Sequence, residues 1–382
     1  MTRKYRLSYA GVAKMLGSGP SEETSMLPWA AIAEGLLAGR IIPFLGAGAS
    51  SFDRSIKGGC PPSGNDLLAA LAAEAGLPIA CGNQCLQSQQ SSPPGAGAPL
   101  YQCTRPNYDL SRVASYYQLV KFSRPELDDR LASLTGNMHC EPNRLHHLLA
   151  HIGSYRPMLI VTTNYDALLE RAFDEAGSAY EVVATAADRL AYRGMEDGSP
   201  EAPDDAGKIY YRLGGNAGFE AVNPRDLSPD LKSRSLIYKV HGSVPKGDSW
   251  PGGYLIAEED YTRFLGRMDH DHIYPFKIKN IMRARKRLPN GRQALVNSLL
   301  FLGYSLNDWN LRVLMDELGV GQGAPGEERH HAILRSADAV AQALLDKRNI
   351  TAWYADLNSF VTDLGKTLEA LRPSKAPEPA AA

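Results

Sequence analysis

The stretch IIPFLGAGAS, residues 41–50, decides how the rest of the chain is read. Residues 41–45 form a short apolar run that ends at Gly46, and a helical pattern follows at 65–76. A strand, a glycine-rich turn and a helix in that order open a nucleotide-binding α/β unit. Gly46 and Gly48 let backbone N–H groups approach a diphosphate closely, with Ala47 and Ala49 between and after them and a Ser50 hydroxyl beside them. Pro43 is awkward in a strand, because proline removes a ladder donor. The motif also lacks the third glycine of the dinucleotide fingerprint, so an ordinary strand-to-helix turn stays open as a reading.

Outward from that turn, residues 28–39 have helical periodicity, with Pro28 where a first-turn proline is tolerated. Residues 80–107, rich in Gln, Ser, Pro, Gly and Ala, read as an irregular insertion. Helices are expected at 108–121, 125–134, 143–153 and 166–176, around the β-rich run MLIVTT at 158–163. The segment 186–233, dense in Asp, Pro, Gly and Arg, reads as a second irregular insertion. Strands are expected at 236–240, 298–304, 330–334 and 350–354, and helices at about 258–266, 273–287, 308–318 and 337–347. Strands alternating with helices predict an α/β fold: a Rossmann-like, mostly parallel sheet with helices on both faces and helical or irregular insertions. The expected organisation is an N-terminal helical extension at 1–40, one domain at 41–370 and a disordered Pro/Ala tail at 371–382.

Four segments place polar residues just past a predicted strand, where open α/β sheets hold ligands. They are FLGAGAS (44–50), TTNYD (162–166), KVHGS (239–243) and FLGYSLND (301–308). Asn164 can donate to and accept from a carboxamide, or orient a water, and Asp166 can hold a ribose hydroxyl. Both are equally good helix caps, so the two readings stand side by side. His241, between a strand and a glycine, is of the type that exchanges protons near neutral pH. Gly303, Ser305 and Asp308 can meet an adenosine, and Asp308 can equally cap the next helix.

The bulk properties exclude several classes. The chain has 382 residues and a net charge of -1, which argues against a nucleic-acid protein held by overall positive charge. No apolar run reaches the roughly 20 residues of a membrane span, and no secretion signal is apparent. Five irregularly spaced cysteines, Cys60, Cys81, Cys85, Cys103 and Cys140, suit free thiols in a reducing compartment, hence the cytoplasm. His147 and His151 have a metal-capable spacing without an evident third ligand, and MDHDH at 268–272 reads as a polar turn. The basic run Lys277, Lys279, Arg283, Arg285, Lys286 and Arg287 reads as a solvated helix face or as a surface for a partner or nucleic acid.

Together the four strand ends resemble the sirtuin-like family: a GAG-x-S loop, a later Asn-x-Asp, a His-Gly and a further glycine-serine strand end. The resemblance spans about residues 41 to 356 and includes LIAEEDYTRFL (255–265) and WYADLNSFVTDL (353–364). It is closer to bacterial sirtuin-like defence proteins, such as the sirtuin-like subunit of sirtuin–HerA systems, than to protein deacetylases. Deacetylase sirtuins hold zinc on four cysteines, and the sequence has no such set.

The resemblance therefore implies NAD+ as substrate, no metal, and hydrolysis to nicotinamide and ADP-ribose in anti-phage (abortive infection) defence. It implies that His241 acts as base on a ribose hydroxyl or on water, that Asn164 positions that water or the leaving carboxamide, and that Asp166 orients the ribose around an oxocarbenium-like centre. It also implies a homo-oligomer controlled in trans by a HerA-type ATPase or, less readily, a short Argonaute, with nucleic acid met only indirectly. The rival readings are a non-catalytic NAD or ADP-ribose sensor or scaffold, and a zinc-less deacylase.

Overall fold

A computed structural model of the chain describes residues 28–53, 60–77, 108–121, 123–136, 140–186, 208–215, 217–244, 252–265, 275–287, 293–304, 315, 330–336 and 339–371. The insertion expected at 80–107, nearly all of the helix expected at 308–318, and the tail beyond Leu371 lie outside these residues.

In chain order the elements are α1 (Trp29–Leu37), β1 (Ile41–Leu45), α2 (Ala47–Ser51), α3 (Gly64–Glu74), α4 (Leu110–Lys121), α5 (Arg124–Gly136), α6 (Arg144–Tyr155) and β2 (Leu159–Thr162). Then come α7 (Leu168–Glu175), β3 (Tyr180–Ala184), β4 (Ile209–Leu213), β5 (Glu220–Val222), β6 (Ser235–Lys239), α8 (Glu258–Leu265), α9 (Phe276–Arg283), β7 (Arg285–Arg287) and β8 (Gln293–Leu295). The last are β9 (Ser298–Leu302), β10 (His330–Leu334), α10 (Ala339–Lys347), β11 (Ile350–Tyr354) and α11 (Leu357–Leu371).

Among the described residues one nine-stranded sheet runs β11-β10-β9-β1-β2-β6-β3-β4-β5. Every pairing from β11 to β3 is parallel, and β4 and β5 close one side antiparallel. β1, β2, β3, β6 and β9 are buried along their whole length, which is why β1, β2 and most of β9 read as apolar runs. The segment 186–233 is therefore not wholly irregular, since β4 and β5 lie within it. β4 (IYYRL) escaped notice because a charged residue, Arg212, occupies a buried position in it.

Pro43 sits inside β1 at little cost. Gly46 N donates to Leu302 O, whereas Leu45 O accepts from Thr163 N. With a period of two, the side of Pro43 that lacks an N–H faces β2. On that side registered pairing begins only at Phe44, while β1 pairs with β9 through all five residues.

One face of the sheet packs Phe44, Val161, Tyr238 and Phe301 against α8, α9 and α10. The other packs Leu45, Ile160, Ile237 and Leu300 against α1, α6, α7 and α11. A third cluster joins α3, α4 and α5 to Val244, Tyr254 and Ile256, which places a helical layer beside the carboxyl end of β6. The helix expected at 273–287 stops at Arg283, and Arg285–Arg287 pair with Gln293–Leu295 instead. The apolar stripe of α9 ends at Met282, and Arg285, Lys286 and Arg287 are all exposed, with nothing to bury. Among the described residues no helix is long and apolar enough to cross a membrane.

Candidate active site

A cleft of about 850 Å³ opens at the carboxyl ends of β1, β2, β6, β9 and β10. The chain's excursions reverse direction between β1 and β9, so the cleft lies at the topological switch point, where open α/β sheets bind nucleotides. Ala47, Gly48 and Ser50 line it, with Asn164, Asp166, His241 and Gly303. Gly46 and Ala49 lie behind them, and Ser305 and Asp308 fall outside the described residues.

The glycines of the first turn serve close packing more than open N–H donation. Gly46 N and Gly48 N donate to Leu302 O and Gly303 O, both at 2.9 Å. A Cβ on Gly48 would stand 2.8 Å from Gly303 O, and one on Gly303 only 2.0 Å from Ala49 N. Gly303 also has φ +74°, a region costly for any other residue. The two turns can thus interlock only through glycine.

Asn164 is held from both sides. Its N–H donates to Thr162 Oγ1 at 3.0 Å, and its Nδ2 donates to Ser50 Oγ at 2.9 Å. Its Oδ1 is buried and has no hydrogen-bond partner among the described residues, an uncommon state for a buried carbonyl oxygen. Ser50 in turn meets His146. Asn143 N donates to His146 Nδ1 at 3.1 Å, which places the imidazole proton on Nε2, 3.4 Å from Ser50 Oγ. Ser50 Oγ then accepts from Asn164 and from His146, which leaves its own hydroxyl proton available to another acceptor. Burial pushes the pKa of His146 down to about 3, so the ring stays neutral and this order of donors persists near neutral pH.

Asp166 lines the cleft, and its Oδ1 accepts from Leu168 N at 3.1 Å at the start of α7. Its carbonyl receives the ammonium of Lys239, which is fully buried and pairs with Glu170 at 2.9 Å. Arg212 Nη2 lies 3.7 Å from the same Glu170 oxygen. This cluster ties the Asn164–Asp166 turn to β6 two residues before His241.

His241 follows β6 in a turn that needs glycine at the next position, where Gly242 has φ +96°. Its ring meets Tyr261 edge-on at 5.7 Å, and its nitrogens have no hydrogen bond among the described residues. Burial drives its pKa down to about 3, leaving a neutral imidazole with a free lone pair at the cleft. His147 lies 3.9 Å from Glu175 and His151 packs edge-on against Tyr155, both away from the cleft.

His146 and Lys239 escaped the sequence reading. Asn143-x-x-His146 is legible as a capping box but gives no hint that the histidine's other nitrogen reaches Ser50. Lys239 and Glu170 stand 69 residues apart, and only the fold brings them together.

A mostly parallel sheet with a glycine-interlocked switch point and a cleft at its carboxyl edge defines a Rossmann-like α/β domain. The chain belongs to the SIR2-like family, whose domain matches residues 158–353, just over half of its length. It is also similar to the NAD(+) hydrolase ThsA of Acinetobacter baumannii (strain 532279), at 24% identity over 233 residues, 60% of this chain. The match covers 35% of that protein, so the chain spans only about a third of its relative's length.

Proposed function

We propose that this protein is an NAD+ glycohydrolase that releases nicotinamide and leaves ADP-ribose. The observation that carries the reading is the convergence of Asn164, whose Oδ1 has no hydrogen-bond partner among the described residues, and His241 on one cleft at the switch point of the sheet. An amide side chain at the cleft can meet a carboxamide N–H₂ or orient an attacking water. The similarity to a protein named as an NAD(+) hydrolase supports the same chemistry.

In this reading the diphosphate lies along the Ala47–Ser50 turn, where the hydroxyl proton of Ser50 can donate to it or to the neighbouring ribose. The nicotinamide ribose lies between Asn164 and His241. His241, neutral and with a free lone pair, takes a proton from a ribose hydroxyl or from the water that attacks C1. The glycosidic bond breaks with its electron pair leaving on nicotinamide, and water completes ADP-ribose. Asp166 acts mainly by fixing the turn that carries Asn164. The sirtuin-like resemblance supports a role as an anti-phage effector in the cytoplasm, an oligomer held in check by a partner protein.

The test is nicotinamide release from NAD+ by the purified chain, alone and with the product of its neighbouring gene. Asn164→Ala and His241→Ala should each lower turnover by about a hundredfold or more, in line with loss of a group acting on the transition state, while melting stays cooperative. Unchanged turnover in either variant overturns the assignment.

A further inference from the structure

The cleft continues past Gly303 to the carboxyl end of β10, where Arg335 and Ser336 line it. Both residues are exposed, and Arg335 has no ion pair among the described residues. The wall beside them is apolar, made by Ile333, Ala341, Ala355 and Leu357. Asn164 and His241 stand across β1 from this wall, on β2 and β6.

The inference rests on the NAD reading above. With the nicotinamide ribose at Asn164 and His241 and the diphosphate at the β1 turn, the adenosine half must cross the switch point toward β9 and β10. β10 lies two strand spacings from β1, about 10 Å. Arg335 therefore meets the adenosine ribose, beyond the diphosphate, while the adenine lies against the apolar wall. Dinucleotide sites that require a free ribose 2′-hydroxyl hold it with a carboxylate, which repels a 2′-phosphate, whereas an arginine there accommodates that phosphate. Among the described residues lining the cleft, Asp166 is the one carboxylate, and it stands at the opposite end. A guanidinium presents paired donors that match phosphate oxygens, and an unpaired one pays no cost of leaving a protein partner.

We propose that the adenosine end of the cleft accepts a ribose 2′-phosphate, bound by the Arg335 guanidinium with the Ser336 hydroxyl as a second donor, so that NADP+ is a substrate alongside NAD+. Cleavage of NADP+ breaks the same nicotinamide–ribose bond and gives 2′-phospho-ADP-ribose.

Calorimetric titration of the full chain with ADP-ribose and with 2′-phospho-ADP-ribose tests this without depending on turnover. The phosphorylated ligand should bind at least as tightly as the plain one. Arg335→Ala should lower the ratio of the two association constants by about tenfold or more, and Arg335→Lys should retain part of it. If ADP-ribose binds and the 2′-phosphate weakens binding tenfold, this inference falls while the NAD reading stands. If the ratio is the same in Arg335→Ala as in the parent, Arg335 is not the phosphate partner and the inference falls. If neither ligand binds, the NAD reading falls and takes the inference with it.

Discussion

Ser50 Oγ receives Nδ2 of Asn164 at 2.9 Å and faces Nε2 of His146 at 3.4 Å, so one hydroxyl orients the amide that the proposed chemistry depends on. Ser50→Ala leaves both donors without an acceptor and frees the amide to rotate. Nicotinamide release should fall by about tenfold or more, with only a small change in melting temperature. A variant as active as the parent would show that Asn164 is held by other means. His330 offers a second test at this scale. It is buried, accepts from Leu299 N at 3.0 Å through Nδ1, and has its pKa pushed down to about 4. His146, pushed down to about 3, behaves alike. The unfolded chain binds protons at these histidines below pH about 6.5 while the folded chain does not. Their contribution to stability is therefore intact above that pH and is lost as pH falls toward the folded values. The loss is roughly 1 kcal/mol per histidine per pH unit. Urea midpoints at pH 7.5 and 5.5 should show the drop, and His330→Asn, which keeps an acceptor without titrating, should shrink it. These linkages were not legible beforehand: the sequence marks which residues can titrate, and only packing says which of them are kept dry.

Among the elements, the strands buried on both faces were readable from their apolar runs, and their ends from the glycine or polar residue that follows. β3 was missed, and its sequence YEVVA explains why. Glu181 is buried there only because Tyr211 Oη donates to it at 2.9 Å and Asp230 N at 3.2 Å, partners from distant segments. α11 lies outside the helices that the sequence predicts, although Phe360, Val361, Leu364 and Leu368 form an apolar face against α1. The cluster of Lys239, Glu170 and Arg212 joins β6, α7 and β4, and it makes an asymmetric prediction. Glu170→Gln strands two buried cations, whereas Lys239→Met leaves Glu170 with Arg212 at 3.7 Å. The first should cost about 3–5 kcal/mol and the second measurably less, read from denaturant unfolding. Equal costs would mean that Arg212 does not share the pair. The interlocked turns of β1 and β9 carry a further prediction. Gly303→Ala must move Ala49 N, which lies 2.0 Å from the new Cβ, and must also hold alanine at φ +74°. That substitution should lower stability by about 3 kcal/mol or more, and a neutral effect would contradict the interlock.

At the scale of the whole molecule, the parallel sheet supplies the site simply by ending. The seven parallel strands end at one edge, their order reverses between β1 and β9, and the helical layer of α3, α4 and α5 lines one side of the space that remains. The fold class was legible because this arrangement repeats one local pattern, a buried strand followed by glycine or polar residues. The division of labour within the site was not, since Gly46 as packing residue and His146 as a hidden neighbour of Ser50 both depend on contacts between distant segments. The central claim is that this cleft cleaves the nicotinamide–ribose bond of NAD+ with water. The most direct measurement is the product balance from NAD+ in ¹⁸O-labelled water, with no acyl-lysine peptide present and with the neighbouring gene's product both absent and supplied. The account predicts nicotinamide and ADP-ribose in equal amounts, with the label in ADP-ribose, in at least one of the two conditions. NAD+ bound but intact in both, or nicotinamide released only when an acylated peptide is added, would contradict it.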